Sequence, residues 1–152
     1  MSRLVVVDAS VTRAAGETEH PVSSACRSSL EAIRAICHRV ALTAPIKEEW
    51  RRHTSRFSRK WRRAMAARRK LPTNIITSDV SLRWDLYSDA ARTAIEKDMA
   101  LIEAALAADK VIVTLDDSLR QALGERPDGL ALLRAIRWIH PVTDGIAAIR
   151  AL

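Results

Sequence analysis

The sequence predicts an α/β fold, a three-layer α/β/α sandwich around a central, mainly parallel sheet. Two apolar runs, Leu4-Val5-Val6-Val7 and Val111-Ile112-Val113-Thr114-Leu115, are short, rich in Val and Ile, and bounded by polar residues. That is the pattern of strands buried on both faces. Segments with apolar residues at helical spacing lie between and after them, and the order βαβα…αβαβα favours parallel strands joined by helical crossovers.

Leu4–Asp8 is the first expected strand. Ala9–His20, with Gly16 and many polar residues, reads as a loop. Ser23 or Ser24 can cap a helix to about Val40, carrying Leu30, Ile33, Ile36 and Val40 on one face. Val40–Ala44 is a short second strand stopped by Pro45. A long helix from about Ile46 to Lys70 follows, with Trp50, Phe57, Trp61 and Met65 on one stripe and Arg52, Arg56, Arg59 and Arg63 on another. Leu71-Pro72 ends it.

Asn74–Ser78 fits either a strand or a loop, and Asp79–Tyr87 a short helix. Ser88 or Asp89 caps a helix to about Ala108 through Ile95, Met99, Ile102 and Leu106. Lys110–Leu115 is the third strand. Short helices follow over Asp117–Leu123, stopped by Gly124, and over Leu130–Ala135. Ile136–His140 is a last strand ended by Pro141, before a C-terminal helix from Thr143.

The 152 residues suit one domain, residues 1–152, large enough for a core without disulfides or structural metal. No stretch is long enough to span a bilayer, and Asp8 interrupts the only N-terminal apolar run, so neither a membrane span nor a signal peptide is expected. Cys26 and Cys37 are spaced as neighbours on one helix face rather than as a zinc pair or CxxC, and read as free buried thiols of a cytoplasmic protein. The four glycines form no phosphate-binding loop, and no GxSxG or HExxH is present. Cys37-His38 is a poor dyad, because adjacent residues on a helix point apart. His20, His53 and His140 stand isolated.

Charge is unevenly distributed. Lys47–Lys70 holds 11 Lys and Arg against 2 acids, a local +9 in a chain whose net charge is +7. Such a concentration repels itself without a polyanionic partner. The arginines, which bind phosphate bidentately and stack on bases, are therefore read as nucleic-acid contacts. Trp50, Phe57 and Trp61 are read as core or dimer-interface residues.

The acidic residues carry the chemistry. Asp8 and Asp116 end strands, and in an open α/β sheet the ligand crevice lies beyond the strands' carboxyl ends. Glu48 and Glu49 follow the second strand, and Asp98 lies in the helix before the third. Each alone has an ordinary explanation as a helix cap or a favourable charge at a helix N-terminus. Together they predict a site in which clustered carboxylates are relieved by a hard divalent cation, Mg²⁺ or Mn²⁺, which prefers oxygen ligands.

The set Val5-Val6-Val7-Asp8-Ala9-Ser10, Pro45…Glu49-Trp50, Asp98-Met99-Ala100-Leu101-Ile102-Glu103-Ala104-Ala105 and Val113-Thr114-Leu115-Asp116 resembles the PIN-domain nucleases, whose best-known bacterial members are VapC-type toxin ribonucleases. The likeness extends over nearly the whole chain to Trp138…Pro141, and Asp98–Asp116 is its most specific stretch. The resemblance implies a PIN-like fold and a Mg²⁺- or Mn²⁺-dependent endoribonuclease leaving 3′-hydroxyl and 5′-phosphate ends. Asp8, Glu49, Asp98 and Asp116 would form its acidic quartet, with Asp117 a fifth carboxylate on the metal and Ser10 a supporting polar residue beside the substrate. Glu48 stands as the alternative to Glu49, and Glu49 is favoured because it directly precedes Trp50. Arg52, Arg56, Arg59 and Arg63 would contact RNA. A cognate antitoxin and a homodimer are implied partners. Two alternatives stay open: an inactive nucleic-acid- or protein-binding module, and a DNA-directed nuclease.

Overall fold

A computed structural model describes residues 1–152. Four strands form one all-parallel sheet in the order β2-β1-β3-β4: β1 Leu4–Val7, β2 Arg39–Val40, β3 Val111–Val113 and β4 Arg137–Ile139. The expected α/β/α sandwich is what the chain adopts. Val5, Val6, Val7, Ile112 and Val113 have no exposed surface, as strands covered by helices on both faces require. They belong to one continuous core of 34 buried apolar residues.

Eight helices surround the sheet: α1 Ala9–Ala14, α2 Pro21–Ala35, α3 Ala44–Arg52, α4 Arg56–Ala67, α5 Asp89–Ala107, α6 Ser118–Leu123, α7 Pro127–Ala135 and α8 Gly145–Arg150. Helix α2 packs against α1, α4 and α8, whereas α5 packs against β1, β3 and α6. No helix is long and apolar enough to cross a membrane.

Several elements differ from the sequence reading. Ala9–His20 is not all loop, because Asp8 leads directly into α1. Helix α2 starts at Pro21, suited to a first-turn position that needs no N–H donor, rather than after Ser23 or Ser24. It stops at Ala35, well before Val40, and Cys37 takes a left-handed conformation with φ 67°. Cys37 therefore leaves the helix face it was expected to share with Cys26, and it is exposed whereas Cys26 is buried. Only Arg39–Val40 of the second strand is regular, and Pro45 lies in the first turn of α3 instead of stopping a strand.

The long basic helix is two helices. His53 leaves helical geometry, and the Ser55 hydroxyl caps α4 by accepting from Ser58 N at 3.0 Å. The break is clamped to α1: Thr12 Oγ1 donates to the His53 carbonyl at 2.9 Å, and Ser55 N donates to Thr12 O at 3.0 Å. Asn74–Ser78 is irregular, and Asp79–Tyr87 contains only a 3-10 turn at Trp84–Leu86. Helix α7 begins at Pro127, before Leu130, and α8 at Gly145, after Thr143.

Candidate metal centre

The chain passes from β1 to β2 on one side, while β3 lies on the other side of β1. The carboxyl ends of β1 and β3 therefore flank the switch point where such sheets place ligands. A cavity of about 790 Å³ opens there. Asp8 reaches it from the end of β1, Glu48 and Glu49 from α3, Asp98 from α5, and Asp116 from the turn after β3.

Asp8 is held from two directions. Its Oδ2 accepts from Ser10 Oγ and Thr114 Oγ1, both at 2.7 Å. The parallel register Val7↔Val113 sets Asp8 opposite Thr114, and Asp8 N donates to Val113 O at 2.9 Å. Ser10 Oγ also accepts from Leu115 N at 3.2 Å. Both of its hydrogen-bonding roles serve the site's frame, so Ser10 fixes the carboxylate from a position on the cavity lining. Thr114, not singled out in the sequence, does the same work. A buried Thr114→Val change should leave the fold intact at a cost of about 1 kcal/mol. If the site is catalytic, it should also lower turnover roughly 10- to 100-fold, the scale seen when a partner of a metal ligand is removed. Cleavage rate and thermal melting measured together check it.

Asp116 is fixed by Ser118, whose N and Oγ donate to Oδ1 at 2.8 and 2.6 Å. Burial opposes its charged form, but these hydrogen bonds and the nearby Lys97 outweigh that and hold its pKa below the ordinary carboxylate value. Asp98 has no hydrogen-bond donor. Burial, then the charge of Asp8, and then Asp116 and Glu49, push its carboxyl up to about 6 against the opposing pull of Lys97. It also interrupts its helix, with φ −114° and ψ 15° inside α5. No proline or glycine stands nearby, and the local sequence gives no reason for that kink.

The structure separates Glu48 from Glu49. Glu48 is bound by Arg51 at 2.9 and 3.0 Å and by Arg52 at 3.1 Å. The Arg51 hydrogen bonds lead in holding its carboxyl at about 2. Glu49 has only His53 Nε2 nearby, 3.8 Å from Oε2, and its charge is felt by Asp98. Asp117 does not join the cavity. It is exposed at the start of α6, 3.7 Å from Arg120, so its expected place as a fifth carboxylate is corrected.

Arg52 lines the cavity, whereas Arg56, Arg59 and Arg63 stand exposed on α4 beyond it. Arg13, His53 and Lys97, which the sequence reading did not place in the site, also line it. Trp50 and Trp61 are core residues, 1% and 2% exposed, with ring centroids 5.8 Å apart.

The donor set is all oxygen and suits a hard divalent ion. Asp8 Oδ1 and Asp116 Oδ2 accept no hydrogen bond from the protein. As they stand, however, no three Asp, Glu, His or Cys side chains converge closely enough to enclose an ion. The carboxylates share a cavity without closing on a common point. Fold and site define an α/β protein with a carboxylate-lined cavity at the switch point of its sheet. Comparison with family models, curated proteins and solved structures yields no match.

Proposed function

We propose that the chain is a divalent-metal-dependent ribonuclease that hydrolyses RNA phosphodiester bonds in this cavity. The observation that carries the reading is the gathering of Asp8, Glu49, Asp98 and Asp116, from four separate elements, around one opening. At least one of them, Asp98, resists ionisation there. Asp8, Asp98 and Asp116 would hold the ion and Glu49 would complete the acidic set. The resemblance of these segments to PIN-domain nucleases supports the same assignment.

When bound, Mg²⁺ or Mn²⁺ supplies an activated water and offsets charge on the crowded phosphorus. The residues supply the rest. Ser10 and Thr114 aim Asp8 so that one carboxylate oxygen stays free, and Ser118 does the same for Asp116. Glu49, exposed on the cavity lining, would take a proton from water. The C-terminal ends of β1 and β3 keep the set on rigid elements, which limits the reorganisation needed at reaction.

Purified protein should cleave RNA with Mg²⁺ or Mn²⁺ and lose at least 100-fold of that activity in EDTA or as Asp8→Asn, the range for losing a central electrostatic group. Equal cleavage by the variant or in EDTA would refute the proposal. Parallel single-stranded and branched DNA substrates decide between RNA- and DNA-directed hydrolysis.

That no three of these side chains converge favours one second reading, a nucleic-acid- or protein-binding module with the same fold. A Mn²⁺ titration separates the two, because a working site raises the melting temperature by mass action and a vestigial one does not. A toxin role, a cognate antitoxin and a homodimer belong to the proposal through the family resemblance alone, and a cytoplasmic location through the two free cysteines.

A further inference from the structure

Two cations at the cavity take no part in holding the ion or activating water. Arg13 lies in the last turn of α1 and Lys97 one residue before the kink of α5. Both line the cavity and both are exposed. Neither is within ion-pairing distance of a carboxylate, although five carboxylates line the same opening. The third cation there, Arg52, is engaged by Glu48 at 3.1 Å. Unpaired cations that do not close onto neighbouring carboxylates remain available to an outside anion.

Formal charge points the same way. Five carboxylates against three cations leave the lining negative by two, which one divalent ion offsets. A phosphodiester would then meet a neutralised lining that also carries Arg13 from α1 and Lys97 from α5. The basic surface continues from this mouth. The His53–Ser55 break sits at its rim, because His53 lines the cavity and Ser55 N is bonded to Thr12 of α1. Helix α4 leads away over 12 residues, about 18 Å at 1.5 Å per residue. Its Arg56, Arg59 and Arg63 are exposed and have no acidic partner, while Ser58, Trp61 and Met65 bury the opposite face. At a stacked rise of about 3.4 Å per nucleotide, the helix spans roughly five nucleotides.

We propose that Arg13 and Lys97 clamp the backbone phosphates of a single nucleic-acid strand at the cavity mouth, and that the exposed arginines of α4 carry the strand onward. The clamp deepens the nuclease reading and rests on it for the chemistry of the ligand. It acts on strand placement, so removing it raises KM more than it lowers kcat.

The test is binding of a short single-stranded RNA, and of DNA of the same sequence, across a salt series in Ca²⁺, so that binding is read apart from cleavage. Arg13→Gln with Lys97→Gln should weaken Kd about tenfold or more and flatten the logarithmic salt slope by about 1.4, or about 0.7 for each phosphate no longer neutralised. Arg56→Gln, Arg59→Gln and Arg63→Gln together should flatten it by about 2 more. Arg13→Gln alone, which leaves the neighbourhood of Asp98 untouched, should show the same trend at half the size. Unchanged affinity and slope in the folded Arg13/Lys97 variant overturn the clamp, as does binding of an acidic peptide with no strand binding. Strand binding that depends on the pair, in a protein that cleaves nothing with any divalent ion, upholds the clamp and refutes the nuclease reading. Cleavage by the pair variant at wild-type kcat/KM does the reverse.

Discussion

Replacing Asp98 with Asn should make the metal-free protein more stable at about pH 7.5, while abolishing whatever cleavage the wild type performs. The folded protein keeps a proton on Asp98 up to about pH 6, because burial and then the charges of Asp8, Asp116 and Glu49 disfavour the carboxylate. In the unfolded chain the same group ionises near the ordinary aspartate range. Between roughly pH 4 and 6 the native state therefore binds more protons than the unfolded state. Stability falls as pH rises across that window and stays lowered above it. A difference of about two pH units corresponds to at most about 3 kcal/mol. Asp98 is partly exposed, so water relaxes part of that cost, and about 2 kcal/mol is expected.

For a chain of this length that is roughly 4–8 °C in melting temperature. The wild type should lose this margin between about pH 4 and pH 6, and Asp98→Asn should lack that loss. Mn²⁺ should restore the wild type at neutral pH, because an ion bound only to the folded state removes the repulsion that metal-free protein carries. It should do little for the variant. An Asp98→Asn protein less stable than wild type at neutral pH would show that this carboxyl is not held against its own ionisation. The expected trade, lower stability for an active site, is common where charges are gathered without their partner.

The sheet and the four main carboxylates were legible because they rest on short-range signals. Val-rich runs and terminal Asp residues declare the ends of β1 and β3, and helical spacing declares α5. What was missed depends on pairings distant in sequence. Thr114 supports Asp8 only because β1 and β3 pair side by side. Within one chain segment, a Thr after a strand has no such meaning. Helix α1 is too short for its periodicity to stand out, and it is stabilised by its place against α2 and α3.

The α3–α4 break has a different origin. The arginine pattern runs through it without interruption, so charge spacing hid the Ser55 cap and the two-point clamp from Thr12. Breaking the helix puts Arg52 at the cavity and leaves Arg56, Arg59 and Arg63 on a separate axis. The kink at Asp98 was not legible at all. Asp117 misled because adjacency to Asp116 is not shared direction: one residue turns into the cavity and the next starts α6.

Trp50→Ala should be the most damaging single change outside the carboxylates, costing about 3–5 kcal/mol. Its ring is 1% exposed and packs on Trp61, and its Nε1 donates to Val7 O at 2.9 Å. Truncation removes a large apolar side chain and leaves a buried carbonyl without a donor, two costs that add. Against a total of about 5–15 kcal/mol for a typical domain, the variant should melt roughly 6–20 °C lower. Trp50→Phe keeps most of the packing and should cost only about 1–3 kcal/mol, mainly the orphaned carbonyl. That carbonyl belongs to the residue before Asp8, and Trp50 follows Glu49 on α3, so one hydrogen bond ties the supports of two cavity carboxylates together. If the cavity is catalytic, Trp50→Phe should lose more turnover than its modest instability explains, measured well below its melting temperature. An exposed control, Arg63→Ala, should leave stability within about 0.5 kcal/mol. Equal turnover in Trp50→Phe and wild type would show that this bond holds the fold without setting the carboxylates.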